Sequence, residues 1–144
     1  MTFHIHIQGI VQGVGFRPFI YKLALENDIK GTVSNGNDGV NIFINADIEA
    51  CNIFVKLIRE KAPEMSHITE LEVSQTDDRI FNSFKIVESD SNSEPKLLFA
   101  PDFSICEDCL SELHAERDRR HNYPFITCTN CGPRFSIISA LPYD

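Results

Sequence analysis

The chain has 144 residues, 42% of them apolar and 24% charged, and a net charge of −8. That is the size of one ordinary domain, or of a small domain with an appendage, and the composition of a soluble globular protein. The acidity argues against general attraction to nucleic acid or anionic lipid, so any anion site has to be built locally.

In chain order, residues 2–11 (TFHIHIQGIV) alternate: Phe3, Ile5 and Ile7 fall on one face and His4, His6 and Gln8 on the other, which predicts a strand. No basic start or long apolar stretch of a signal peptide precedes it, and no apolar run approaches the roughly 20 residues that cross a bilayer, so a cytoplasmic protein is expected. A glycine-rich loop follows. Phe19, Ile20, Leu23 and Ala24 then recur at helical spacing, predicting a helix over about 17–27 that opens near Pro18. Residues 31–47 read as strand, tight turn, strand, since Asn35-Gly36 and Asp38-Gly39 both favour turns with positive φ. Asp47 is placed to cap a helix over about 48–61, with Cys51 as a small core residue on its apolar face. Strands are expected again at 67–77 and 83–89. The order β-α-β-β-α-β, with one short extra strand, is the split-βαβ, ferredoxin-like arrangement of the α+β class.

Residues 89–102 contain the polar run SDSNSEPK and read as a linker between a first domain, 1–88, and a small second segment, 103–144. The second segment offers little core periodicity beyond a possible short helix at 107–118. Its apolar run FSIISAL (135–141) has no evident partner, and the segment reads as incomplete.

The string GIVQGVGFRPF (9–19) carries chemistry. Gly9, Gly13 and Gly15 free the backbone between a strand and a helix, and Arg17 stands at the helix start. Successive N–H groups in such a loop converge on an anion, the helix dipole adds to them, and the guanidinium fork suits phosphate or carboxylate oxygens. No Lys-Ser/Thr follows and the spacing is not GxGxxG, which excludes a Walker A loop and disfavours a dinucleotide. Glycine spacing alone is equally compatible with a tight turn and a solvated arginine.

Four of the five cysteines form two pairs, Cys106/Cys109 and Cys128/Cys131, separated by 18 residues. The pattern falls within the spacing of a structural four-cysteine zinc site, in a stretch with too little core to fold without a staple. Redox dithiols are the weaker reading, because neither pair is expected to open a helix after a strand. Four thiolates fill a tetrahedral site, so His114 and His121 are expected to be solvated or locally hydrogen-bonded. His4, His6 and His67 are expected on polar strand faces or in a loop.

The full string GIVQGVGFRPF, together with GTVSNGNDGV, in which Asn35 ends a strand before a turn, closely resembles the acylphosphatase signature over residues 1–88. The resemblance implies that Arg17 and Asn35 are catalytic. Backbone amides of Gln12, Gly13, Val14, Gly15, Phe16 and Arg17 would hold the substrate phosphate, and the Asn35 amide would orient the attacking water. It implies hydrolysis of acyl phosphates without a cofactor. PDFSICEDCLSEL and RRHNYPFITCTNCGPRFSI in turn resemble the first zinc-finger segment of the hydrogenase maturation carbamoyltransferases, the HypF family. That resemblance covers nearly the whole chain. It implies that the complete protein releases phosphate from carbamoyl phosphate in this portion, adenylates the carbamate with ATP in later domains absent here, and passes the carbamoyl group to a C-terminal cysteine of a HypE-type acceptor for cyanide ligand synthesis on [NiFe]-hydrogenase. It implies structural Zn2+ on Cys106, Cys109, Cys128 and Cys131, while the acidity and the lack of a long apolar run leave neither nucleic acid nor membrane as an expected partner. Two other readings remain at this point: a non-catalytic module that binds an anion or docks a partner, and a zinc ribbon that uses Arg117, Arg119, Arg120 and Arg134 on nucleic acid, which the acidity disfavours.

Overall fold

A computed structural model describes residues 1–89 and 104–134. Strands β1 (Thr2–Ile10), β2 (Lys30–Gly36), β3 (Gly39–Asn45), β4 (His67–Thr76) and β5 (Phe84–Ile86) form one sheet in the order β4-β1-β3-β2-β5. Helices α1 (Phe16–Glu26) and α2 (Ile48–Lys61) lie between β1 and β2 and between β3 and β4 in the chain. β3 is antiparallel to both β1 and β2, so β1 and β2 run parallel with β3 inserted between them: a split βαβ unit. The expected order is therefore found, and the extra strand is β5, parallel to the outer edge of β2.

The alternation read along residues 2–11 has its cause in one-sided burial. Phe3, Ile5 and Ile7 point into the core with Val33, Val40, Ile42 and Ile44, against Phe16, Ile20 and Leu23 of α1 and Cys51, Phe54 and Ile58 of α2. Each such side chain contributes roughly 1.5–3 kcal/mol on leaving water. On the other face His4 stacks on Phe43 with ring centroids 4.4 Å apart and hydrogen-bonds Asn41 Oδ1 at 2.8 Å, while Arg79 lies 4.1 Å from the centre of the Phe43 ring. His6 Nε2 sits 3.4 Å from Asp38, and His67 is exposed.

Asp47 caps α2, its side chain accepting from Ala50 N–H at 2.8 Å, as its position in the sequence implied. The hairpin turn differs from expectation. Gly36 pairs with Gly39, which leaves Asn37 and Asp38 as the central residues, and neither has positive φ; of these four residues only Gly39 does.

In the second segment, helix α3 (Glu107–His114) is shorter than the expected 107–118. Ala115 leaves the helix with extended backbone, and a series of turns carries the chain back, with Asn122 in the left-handed region donating its N–H to Leu113 O at 3.0 Å. This reversal returns Cys128 to the start of α3. Apart from Ser89, the expected linker lies outside the described residues, as does the apolar run 135–141. No helix among the described residues is long and apolar enough to cross a membrane.

Candidate active site and metal centre

β1 ends in a register shift against β4 between Gln8 and Gly9, an irregularity of the kind that redirects a strand. The chain turns from there into the glycine loop. Gly13 (φ 74°) and Gly15 (φ 73°) are both left-handed, with Val14 between them at negative φ. That alternation turns successive N–H groups toward one concavity. Val14 sends its side chain into the core, so its contribution to the loop is its backbone. Gly15 is also the N-cap of α1, where no side chain caps the helix and no acidic residue occupies the first turn. The positive end of the helix thus meets the loop without a carboxylate to neutralise it.

A cavity of about 390 Å³ opens on this loop. Gln12, Gly13, Gly15, Phe16 and Arg17 line it from the loop side. Asn35, fully buried at the end of β2, lines it from the hairpin side. Arg17 is the single charged side chain among the described residues that line it, so the field there favours an anion. Gln12 fixes the relation between the two sides. Its buried side-chain amide donates to Gly36 O at 2.7 Å and to Gly39 O at 2.9 Å, tying the loop to the hairpin that carries Asn35.

The four cysteine sulfurs lie within 4.8 Å of one another. Cys106 and Cys128 Sγ are 3.6 Å apart, Cys128 and Cys131 3.8 Å, and Cys109 and Cys131 3.9 Å. A disulfide needs about 2.05 Å, whereas a tetrahedral zinc with about 2.3 Å bonds to sulfur spaces its ligands about 3.8 Å apart. The donor set therefore fits such a metal. Burial opposes a thiolate at Cys131, but backbone donors at Cys106 and Cys128 and the Arg134 guanidinium, 3.2 Å from Sγ, outweigh it and lower the thiol to about 6. Cys109 is pushed up to about 12 by burial and by the neighbouring thiols. Cys106 is the N-cap of α3 and Cys109 lies in its first turn, but α3 does not follow a strand, so the first pair lacks the strand-to-helix setting of a redox dithiol. Residues 104–105, just before Cys106, are not strand.

Cys51 is buried on α2 and its thiol is raised by that burial, as a core residue's would be. His121 Nε2 lies 2.8 Å from Asn122, outside the thiol cluster. Of the arginines offered for nucleic acid, Arg120 is bound to Glu112 and to Thr127 O, and Arg134 to Ile126 O and Cys131; Arg117 and Arg119 stand exposed. The feature that sequence reasoning missed is the second knuckle's place in the cavity: Thr127, Cys128, Thr129 and Pro133 line it too.

The acylphosphatase family model matches residues 3–86. The chain belongs to the acylphosphatase family. An acylphosphatase of Staphylococcus haemolyticus is 35% identical over 85 residues, covering 58% of this chain and 96% of that protein. The model of the HypF finger matches residues 105–138. Over its whole length the chain is homologous to the N-terminal region of HypF carbamoyltransferases. It is 42% identical to the probable carbamoyltransferase HypF of Methanocaldococcus jannaschii, with 100% of this chain and 19% of the relative aligned. It is 45% identical to carbamoyltransferase HypF of Synechocystis, with 99% and 18% aligned. The chain thus spans about a fifth of the length of these relatives. Among solved structures, full-length HypF in its phosphate- and nucleotide-bound form superposes with a TM-score of 0.87 at 44% identity over 99% of this chain and 19% of that one. Bacillus subtilis acylphosphatase superposes with 0.54 at 32% identity over 60% of this chain and 97% of that one.

Proposed function

We propose that this chain is the acyl-phosphate-hydrolysing portion of a HypF-type carbamoyltransferase, with carbamoyl phosphate as substrate. One observation carries the reading. The left-handed glycine loop, the uncapped helix start, Arg17 and Asn35 converge on a single cavity that no carboxylate lines among the described residues.

Arg17 and the loop amides of residues 12–17 hold the phosphate oxygens. The Asn35 side-chain amide orients a water in line with the leaving carbamate. The water oxygen forms its bond to phosphorus as the bond from phosphorus to the carbamate oxygen breaks. Carbamate leaves with that electron pair, and the water's proton passes to phosphate or solvent. Carbamate is a good leaving group, so position and charge supply most of the catalysis.

In this proposal the layout is an acylphosphatase-like domain over 1–88, a linker over 89–102 and a finger segment over 103–144. Cys106, Cys109, Cys128 and Cys131 hold a structural zinc, which supplies folding energy to a segment whose core is little more than Cys109, Ile126 and Cys131. Adenylation and transfer to a HypE-type acceptor belong to the remainder of such a protein.

The test is release of inorganic phosphate from carbamoyl phosphate by the purified zinc-loaded chain, with Arg17→Ala and Asn35→Ala alongside. Each variant is expected to lose about 100-fold or more in kcat/KM, the scale of removing one preorganised electrostatic contact. A folded chain that binds phosphate without turnover would make this an anion-binding module instead. Normal turnover in either variant would sink the assignment.

A further inference from the structure

We propose that the second cysteine knuckle is a working wall of the anion pocket, so that metal binding at the four cysteines and phosphate binding in the glycine loop strengthen one another. The inference rests on the reading of the pocket as a phosphate site.

Two observations carry it. The first is shared lining: Thr127, Cys128, Thr129 and Pro133 face the same cavity as Arg17 and Asn35. Cys128 is at once a member of the thiol cluster and a wall of the pocket. The second is that the knuckle meets the loop backbone to backbone. A Cβ placed on Gly15 would stand 3.2 Å from Thr129 O, and one placed on Gly132 would stand 2.8 Å from Gly13 O. Both left-handed glycines of the anion loop thus touch the knuckle, from more than 110 residues away in the chain, with no flexible side chain between to absorb a shift.

The knuckle is held by a few polar ties and a small core. Gly132 N–H donates to Cys128 O at 2.9 Å, Thr127 Oγ1 donates to Gly132 O, and Arg134 donates to Ile126 O, while its buried core is only Cys109, Ile126 and Cys131. A metal that gathers the four sulfurs fixes the knuckle, and with it the position of Thr129 O and Gly132 against the loop. Without the metal the thiols have no common centre, the wall loosens, and the loop amides lose a rigid support while the pocket opens to water. Any such effect is reciprocal: an anion that favours the closed wall must tighten the metal by the same factor.

The experiment uses the full chain and inorganic phosphate as the probe. Phosphate affinity is measured by calorimetry on zinc-loaded and zinc-stripped protein. Zinc affinity is measured separately, by competition with a chromogenic chelator, with and without saturating phosphate. Removing zinc is expected to weaken phosphate about tenfold, and phosphate to tighten zinc by a similar factor, within the usual range of such couplings. The two factors close one thermodynamic cycle and must agree, so the second measurement is an independent check on the first. Equal phosphate affinity in the two forms, with zinc affinity indifferent to phosphate, would overturn the coupling and leave the pocket standing as a phosphate site. No phosphate binding by the zinc-loaded chain would overturn both.

Discussion

Gln12→Ala tests how the site is held together. Gln12 is 7% exposed, and its amide makes two buried hydrogen bonds, to Gly36 O and Gly39 O. Each contributes about 0.5–1.5 kcal/mol net, more where the carbonyl left behind finds no other donor. The variant also strips one buried methylene, about 0.8 kcal/mol. The sum is about 3 kcal/mol, which for a domain of this size lowers Tm by roughly 10–20 °C. Gln12→Glu should be worse, since a carboxylate oxygen would face two carbonyl oxygens. Thermal melts of the zinc-loaded chain, followed by circular dichroism, read both variants. Below its melting range Gln12→Ala should still release phosphate more slowly, because the hairpin bearing Asn35 is no longer tied to the loop. A melting temperature within about 3 °C of the parent chain would refute the reasoning, because on this scale the two bonds would then contribute almost nothing.

Two other expectations follow from the packing and the thiols. Phe54 is fully buried where α2 meets the sheet, so Phe54→Ala should cost about 3–5 kcal/mol in urea unfolding, and a loss under about 1 kcal/mol would contradict the core described. Zinc binding must displace protons from thiols, that of Cys109 among them, which burial and its thiol neighbours hold tightly. Zinc retention should therefore fall as pH is lowered from about 8 to about 5, and equal retention across that range in a chelator competition would argue against a thiolate site.

The fold was legible where one physical cause dominated. The alternation of Phe3, Ile5 and Ile7 marks a strand buried on one face, and Asp47 marks a helix start, because each pattern has a local cause that tertiary packing reinforces. Asn35-Gly36 and Asp38-Gly39 both carry turn chemistry, so the sequence indicated a turn but not its register. Strand pairing decided that, by setting Gly36 opposite Gly39. The end of α3 was misjudged because residues 115–118 have nothing against helix; the need to bring Cys128 back beside Cys106 is a long-range constraint. For the same reason the spacing of the cysteines named a metal centre and the glycines named an anion loop, but neither indicated that the two would share a wall. The meeting of Gly13 with Gly132 joins segments with no local signal for each other.

β1 lies inside the sheet, flanked on both edges, although it is the first strand of the chain. Its partners β3 and β4 end at Asn45 and Thr76, so 66 residues separate the end of β1 at Ile10 from the end of β4. At about 5–20 residues per second, a ribosome leaves one edge of β1 open for roughly 3–13 s after that strand is made. Phe3, Ile5 and Ile7 can begin to pack once β3, α1 and α2 are made, but the β4 edge of β1 keeps its backbone donors and acceptors unpaired until the end of that interval. Trimming the start of the chain, commonly a harmless edit, would here cut an interior strand out of the sheet.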